Sequence, residues 1–334
     1  MRSFCSVFHV PSLQGWCLIS DGDCASRFIW EAIMSSCELN AIRDELRSRR
    51  ENPPESLQRA RIGFDQLCNR FSAPPNCIST ASTLGGVPVR TVTCVESRRS
   101  LLYVHGGGFM VGSAGGFEGI AGTLAAGTSS TAYVVDYRLT PENAYPAAQQ
   151  DVLTAYAALL ANSESANDIA LVGDSAGAQL IMAALIHART MGMEMPGCVV
   201  LFSPWVDLAL TGESILTKAT VDFFLTPQKL QTCADAYLGE QVEAASFILE
   251  AGLEGLPPLM IQVGECEILL DDAVRLARVA GSAGVDTRLE VWPGMFHVWQ
   301  AYAPALSEGR EALAAAVNFI NRVLERKKAV AVGG

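Results

Sequence analysis

Residues 169–177 read Ile169-Ala170-Leu171-Val172-Gly173-Asp174-Ser175-Ala176-Gly177, and an Ala-rich stretch at about 179–189 follows. A short apolar run, a five-residue turn and a helical pattern spell strand, turn, helix. In that setting a serine with glycines two residues to either side is held on a sharp turn, its hydroxyl clear of a sheet edge. Side chains at Gly173 and Gly177 would collide with backbone, so glycine is required at both. A plain Gly/Ser loop fits the same five residues, and the flanking chain has to decide between the two.

Outward from this turn, strands and helices alternate. Strand patterns lie at 86–92, 100–104, 132–135, 169–172, 197–202, 258–263 and 286–292, and helical ones at 119–126, 146–160, 269–282 and 308–326. That pitch predicts an α/β fold: a mostly parallel, twisted sheet with helices on both faces and right-handed crossovers. Two amphipathic helices come before any strand. Leu39, Ile42 and Leu46 share one face over 38–49, and Ser56 caps a second helix running to 71 with Leu57, Ala60, Phe64 and Leu67 as its stripe. Residues 205–246 break the rhythm, with a helix over 228–238. The two irregular pieces, about 36–75 and about 205–246, are expected to form a helical cap over the sheet's carboxyl edge. Residues 1–35 form an extension of unknown role before a single domain at 36–334, whose tail at 327–334 should fray.

Half of the 334 residues are apolar, enough for a large core. A net charge of −11 argues against nucleic acid or an anionic membrane surface as partner. No apolar run reaches the length of a membrane span. The start of the chain makes a poor signal peptide, with Arg2 alone as a basic residue and His9, Pro11, Ser12 and Gln14 interrupting the apolar run. The ten cysteines include no C-x-x-C pair and no histidine in zinc-ligand spacing. They read as scattered thiols of a reducing compartment, which points to the cytoplasm.

His105-Gly106-Gly107-Gly108 follows the strand at 100–104. Acyl transfer creates a negative oxygen that needs rigid N–H donors, and consecutive glycines let main-chain amides turn toward one point. Gly106 and Gly107 are the expected donors, joined by Ala176 just after the serine. A phosphate loop is excluded by the absence of G-x-x-x-x-G-K-[ST] and of G-x-G-x-x-G with a following acid. His105 sits among these donors and reads as a loop-fixing residue. Of the other histidines, His9 lies in the extension and His187 inside the helix after Ser175. His297 follows the last strand, at the edge where ligands bind, and is the candidate base. Its acidic partner should follow the strand at 258–263, where Glu265, Glu267, Asp271 and Asp272 stand. The two aspartates fall about a turn into the next helix, where they would complement its dipole.

From about 38 to 326 the chain resembles the hormone-sensitive-lipase-like branch of the α/β-hydrolases, the family IV carboxylesterases. The resemblance rests on five runs, in this order. They are His105-Gly106-Gly107-Gly108-Phe109, Asp136-Tyr137-Arg138-Leu139-Thr140-Pro141-Glu142, Gly173-Asp174-Ser175-Ala176-Gly177, Ser203-Pro204-Trp205 and Pro293-Gly294-Met295-Phe296-His297. It implies the order serine, acid, histidine. The family's usual acid is an aspartate in a D-P-L run. Here Glu267-Ile268-Leu269 occupies that register, so Glu267 is favoured over Glu265. Asp136 and Arg138 look like supports of the glycine loop, and Asp174 looks structural.

The expected function is a serine carboxylesterase working through an acyl-enzyme, with Ser175, Glu267 and His297 as triad and no metal or organic cofactor. The resemblance implies short to medium acyl chains on a small-molecule ester. Phe109, Trp205, Phe223, Phe224 and Val298 are candidates for the pocket wall, and each is also an ordinary core residue. Two other readings stay open. One is an amidase or a deacetylase of a specialised metabolite on the same triad. The other is a non-catalytic receptor on this scaffold, as in the plant gibberellin receptor, which lacks the catalytic histidine. A homodimer is left open.

Overall fold

A computed structural model of the chain describes the backbone of residues 5–9, 16–20, 24–70, 72–94, 99–244 and 247–332, and side chains between 37 and 326 of these, Val242 excepted. Of the extension at 1–35 only backbone is described, at 5–9, 16–20 and 24–35. Within it, β1 (Cys5–His9) and β2 (Trp16–Ser20) pair antiparallel, Cys5 opposite Ser20. Then come α1 (Cys24–Glu51), α2 (Leu57–Cys68), β3 (Ile78–Leu84), β4 (Val87–Thr93), β5 (Arg99–Val104), α3 (Glu118–Thr128), β6 (Ser130–Val135) and α4 (Ala147–Asn162). Next come β7 (Ile169–Asp174) and α5 (Ala176–Thr190), followed by β8 (Cys198–Phe202), α6 (Ser214–Thr217), α7 (Pro227–Leu238) and α8 (Phe247–Glu250). The chain closes with β9 (Leu259–Gly264), α9 (Leu270–Ser282), β10 (Thr287–Trp292) and α10 (Ser307–Val332).

The main sheet runs β10-β9-β8-β7-β5-β6-β4-β3. The six strands from β10 to β6 are parallel, while β4 and β3 join antiparallel at one end. Parallel strands covered on both faces must be apolar on both, and β7, β8 and β9 are buried at every residue. Side chains alternate accordingly. Leu102, Val104, Leu171 and Leu201 pack on one face with residues of α4, α5 and α9. Leu101, Tyr103, Val172 and Val200 pack on the other with residues of α3 and α10. Because β5, β7, β8, β9 and β10 point the same way, the loops that follow them share one edge.

Several details differ from the expectations. β3 was not anticipated, because its Ser/Thr-rich sequence is exposed at most positions and carries no apolar alternation. It folds back on β4 through Gly85 and Gly86, both at positive φ (59° and 86°), as a two-residue hairpin demands. That hairpin overturns the reading of the cysteines as thiols throughout: Cys77 and Cys94, just beyond the pair Ile78 and Thr93, are joined by a disulfide. The tail expected to fray has helical backbone to Val332. Among the described residues no helix is long and apolar enough to cross a membrane.

Candidate active site

The turn after β7 is built as its sequence requires. Ser175 has φ 51° and ψ −120°, outside the comfortable region for an L-residue. A Cβ at Gly173 would come within 2.9 Å of the Val104 carbonyl oxygen, and one at Gly177 within 2.0 Å of the same atom. Bare glycines therefore let α5 start at Ala176, pressed against the end of β5 and three residues earlier than its Ala-rich pattern begins. The Ser175 N–H donates to the Phe202 carbonyl at 2.9 Å, which ties the turn to β8.

Three distant residues meet here. Ser175 Oγ lies 3.0 Å from His297 Nε2, and His297 Nδ1 lies 2.8 Å from Glu267 Oε2. All three are buried. Glu265 is placed elsewhere. It accepts from Lys218 Nζ at 2.5 Å, and that hydrogen bond holds its carboxyl below the usual range. Asp271 and Asp272 do more than decorate a helix terminus. Asp272 accepts from the N–H groups of Val206 and Asp207, both at 2.8 Å, and Asp271 from that of Ser214 at 2.8 Å. They fasten the segment after β8 to α9. Burial raises the Asp272 pKa to about 7.

Ser203 is the residue the sequence reading passed over, quoting it inside Ser203-Pro204-Trp205 without a role. Its hydroxyl donates to Glu267 Oε1 at 2.8 Å and accepts from the Val298 N–H at 3.0 Å. The Gly264 N–H reaches the same Oε1 at 2.5 Å. The available signal was a hydroxyl at the carboxyl end of a central strand, one residue past β8. Asp222 was missed as well. Its carboxylate collects the N–H groups of Phe224, Leu225 and Ile268, the last next to Glu267.

The glycine loop corrects one expected donor. Gly106 packs against Asp174, where a Cβ would meet Oδ2 at 2.2 Å, and its main chain hydrogen-bonds that carboxyl. Gly107 and Gly108, at φ 117° and 60°, face the cavity beside Ser175 instead. Burial raises the Asp174 pKa to about 6, against the pull of the Tyr103 hydroxyl at 2.8 Å and of Gly106. His105 stacks between Tyr137 and Phe117 with ring centroids 4.3 and 5.2 Å away, and its Nδ1 lies 2.7 Å from the Gly106 carbonyl oxygen. Burial lowers its pKa to about 4, so it sits neutral and fixes the loop. Asp136 accepts from the Ala114 N–H at 2.9 Å, on the loop's far side. Arg138 does not reach the loop: it clamps Asp151 of α4 at 2.7 Å.

A cavity of about 90 Å³ opens over Ser175 and His297. Trp205, Phe224 and Val298 line it as expected. Phe109 and Phe223 do not. Phe109 is buried against Tyr237, centroids 3.9 Å apart, and Phe223 packs on Phe296 at 5.3 Å. The rest of the wall comes largely from helices: Phe64 and Leu67 of α2, and Lys229, Leu230 and Cys233 of α7. The Phe224 ring stands 5.7 Å from the His297 ring, and Lys229 Nζ lies 5.1 Å from the Phe224 centroid.

The chain is similar to several known proteins. The family model for the alpha/beta hydrolase fold (Abhydrolase_3) matches residues 101–301. An acetyl-hydrolase of Streptomyces hygroscopicus is 35% identical over 292 residues, 86% of this chain and 97% of that protein. An esterase of Acinetobacter venetianus is 33% identical over 260 residues, 77% and 86% of the two. The crystal structure of an esterase from the bacterial hormone-sensitive lipase family superposes with a TM-score of 0.82 at 37% identity, covering 86% of this chain and 98% of that one.

Proposed function

The chain belongs to the alpha/beta hydrolase fold family, and from that premise we propose how it works as the serine carboxylesterase its relatives make it. Ser175 Oγ attacks the ester carbonyl while His297 Nε2 accepts its proton. Glu267 holds His297 in the tautomer with Nδ1 protonated and stabilises the imidazolium. The main-chain N–H groups of Gly107, Gly108 and Ala176 receive the oxyanion, Gly106 being engaged with Asp174. His297 then gives its proton to the departing alcohol. In the second half it activates water, which releases the acid and restores Ser175.

The single observation that carries this reading is the relay from Ser175 through His297 to Glu267, at 3.0 and 2.8 Å. It also weighs against a non-catalytic receptor, which has no use for a base against the serine. In Ser175→Ala, hydrolysis of p-nitrophenyl butyrate should drop to background and a fluorophosphonate probe should no longer label the protein. Undiminished turnover in that variant would sink the assignment.

The substrate is an ester with a short to medium acyl chain. Helix residues close the cavity from above, and the similarity to an acetyl-hydrolase favours small acyl groups. In a p-nitrophenyl series kcat/KM should peak at or below eight acyl carbons; a maximum at sixteen would refute this. The segments 36–75 and 205–246 act together as the cap, since α2 and α7 both wall the cavity.

A further inference from the structure

We propose that Lys229 selects esters carrying a carboxylate remote from the scissile bond. The cavity over Ser175 is mostly apolar, and Lys229 is the lysine or arginine in its wall among the described residues. The Lys218, Arg61, Arg138 and Arg275 side chains each pair with a carboxylate, at 2.5, 2.6, 2.7 and 2.7 Å. Lys229 has no such partner among the described residues. Its Nζ rests over the Phe224 ring, and that ring stacks toward His297. A cation over an aromatic face keeps some electrostatic compensation without a counter-ion. Asp222, whose charge acts on Lys229, has its carboxylate occupied by three main-chain N–H groups.

Lys229 stands at the mouth, open to solvent as a residue. The protein around its ammonium still desolvates it enough to lower the pKa. A partly dehydrated ammonium at the rim of an apolar cavity gains by meeting a carboxylate there. The chain carries a net charge of −11, so an anionic ester is otherwise repelled. The ammonium and the imidazole both pack on Phe224, 5.1 and 5.7 Å from its centroid, and a carboxylate that meets the ammonium at the rim lies apart from the carbonyl that Ser175 attacks. It can belong to the acyl part, as in a dicarboxylic acid monoester, or to the alcohol part, as in an acylated hydroxy acid.

The proposal rests on the esterase reading, and the test separates the two. Full-length enzyme is assayed on two matched pairs. Mono-p-nitrophenyl adipate against p-nitrophenyl hexanoate probes the acyl side, and 4-acetoxybenzoate against its methyl ester the alcohol side. The readout is the ratio of kcat/KM for the anionic to the neutral member. In Lys229→Met that ratio should fall about tenfold in at least one pair, the size of one charge-assisted contact. Lys229→Arg should keep most of it. The thioether extends the apolar wall, so neutral members should be hydrolysed faster by the methionine variant, which also reports that it is folded. A ratio identical in wild type and Lys229→Met for both pairs overturns the proposal while leaving the esterase intact. Failure of wild type to hydrolyse either neutral ester overturns both.

Discussion

Ser203 serves two partners at once, from a backbone at φ 46° that a serine adopts only under constraint. In Ser203→Ala both Glu267 Oε1 and the Val298 N–H lose a partner. Unfolding free energy should drop by about 1–3 kcal/mol in urea titrations. The kcat should fall more than KM rises, because the acid and the residue after His297 both shift. Glu267→Gln keeps the shape but loses the charge that stabilises the imidazolium, and kcat should fall by about 10⁴-fold at nearly constant KM. His105 carries a pH dependence of stability. The folded state holds it neutral down to about 4, while the unfolded chain binds a proton below its ordinary 6.5. Stability present at neutral pH is therefore lost as pH falls from 6.5 to 4. Asp174 and Asp272 act in the opposite sense. Their raised pKa values, about 6 and about 7, favour the folded state at low pH, and that advantage is lost as pH rises through those values. Comparison with His105→Gln isolates the histidine: the stability of wild type relative to the variant should shrink by about 3 kcal/mol between pH 7 and pH 4. A constant difference across that range would mean that the ring takes up its proton alike in the folded and the unfolded chain.

At the scale of elements, α1 holds the histidine loop from outside. Leu46 is 1% exposed and packs in one cluster with Phe223, Phe296 and Trp299. Arg43 donates to the Gly294 carbonyl at 2.9 Å, and Arg50 donates to the carbonyls of Asp222 and Ala219. Leu46→Ala should cost about 2–5 kcal/mol on urea unfolding. It should also lower kcat at 25 °C, since Phe296 immediately precedes His297. The elements themselves were largely readable from periodicity. The second N-terminal helix, the irregular segment after β8 and the strands from β4 to β10 lie within a few residues of their patterns, whereas α1 begins at Cys24, well before the pattern at 38–49. β3 was not readable, because its stability comes from pairing with β4 and little from burial. The pocket was half readable for a related reason. Phe223 and Phe224 are neighbours with no regular period around them, so residue type alone could not say which one faces Ser175 and which one faces α1.

Across the whole molecule, the meeting of Ser175, Glu267 and His297 was legible because parallel strands end on a common edge, and sequence position after a strand becomes position in space. Ser175, Glu267 and His297 each follow such a strand. Ser203 follows one too, yet its role depends on a contact with a residue 64 positions away, which no local pattern carries. That Gly106 faces Asp174 while Gly107 and Gly108 face the cavity was not legible, because consecutive glycines look alike until the loop has a shape. The disulfide was hidden behind the unread β3. Non-reducing peptide mapping should recover residues 77 and 94 in one linked fragment; two separately alkylated peptides would refute the bond. The carboxylate of Asp222 has a wider consequence. It knots the segment above the cavity to the loop that bears the acid. Anyone who transplants a foreign segment between β8 and β9 to change what the enzyme accepts will also cut this knot, and turnover will suffer unless the transplant brings a carboxylate of its own. Selectivity and speed are thus geared together, and a redesign of one must carry the other along.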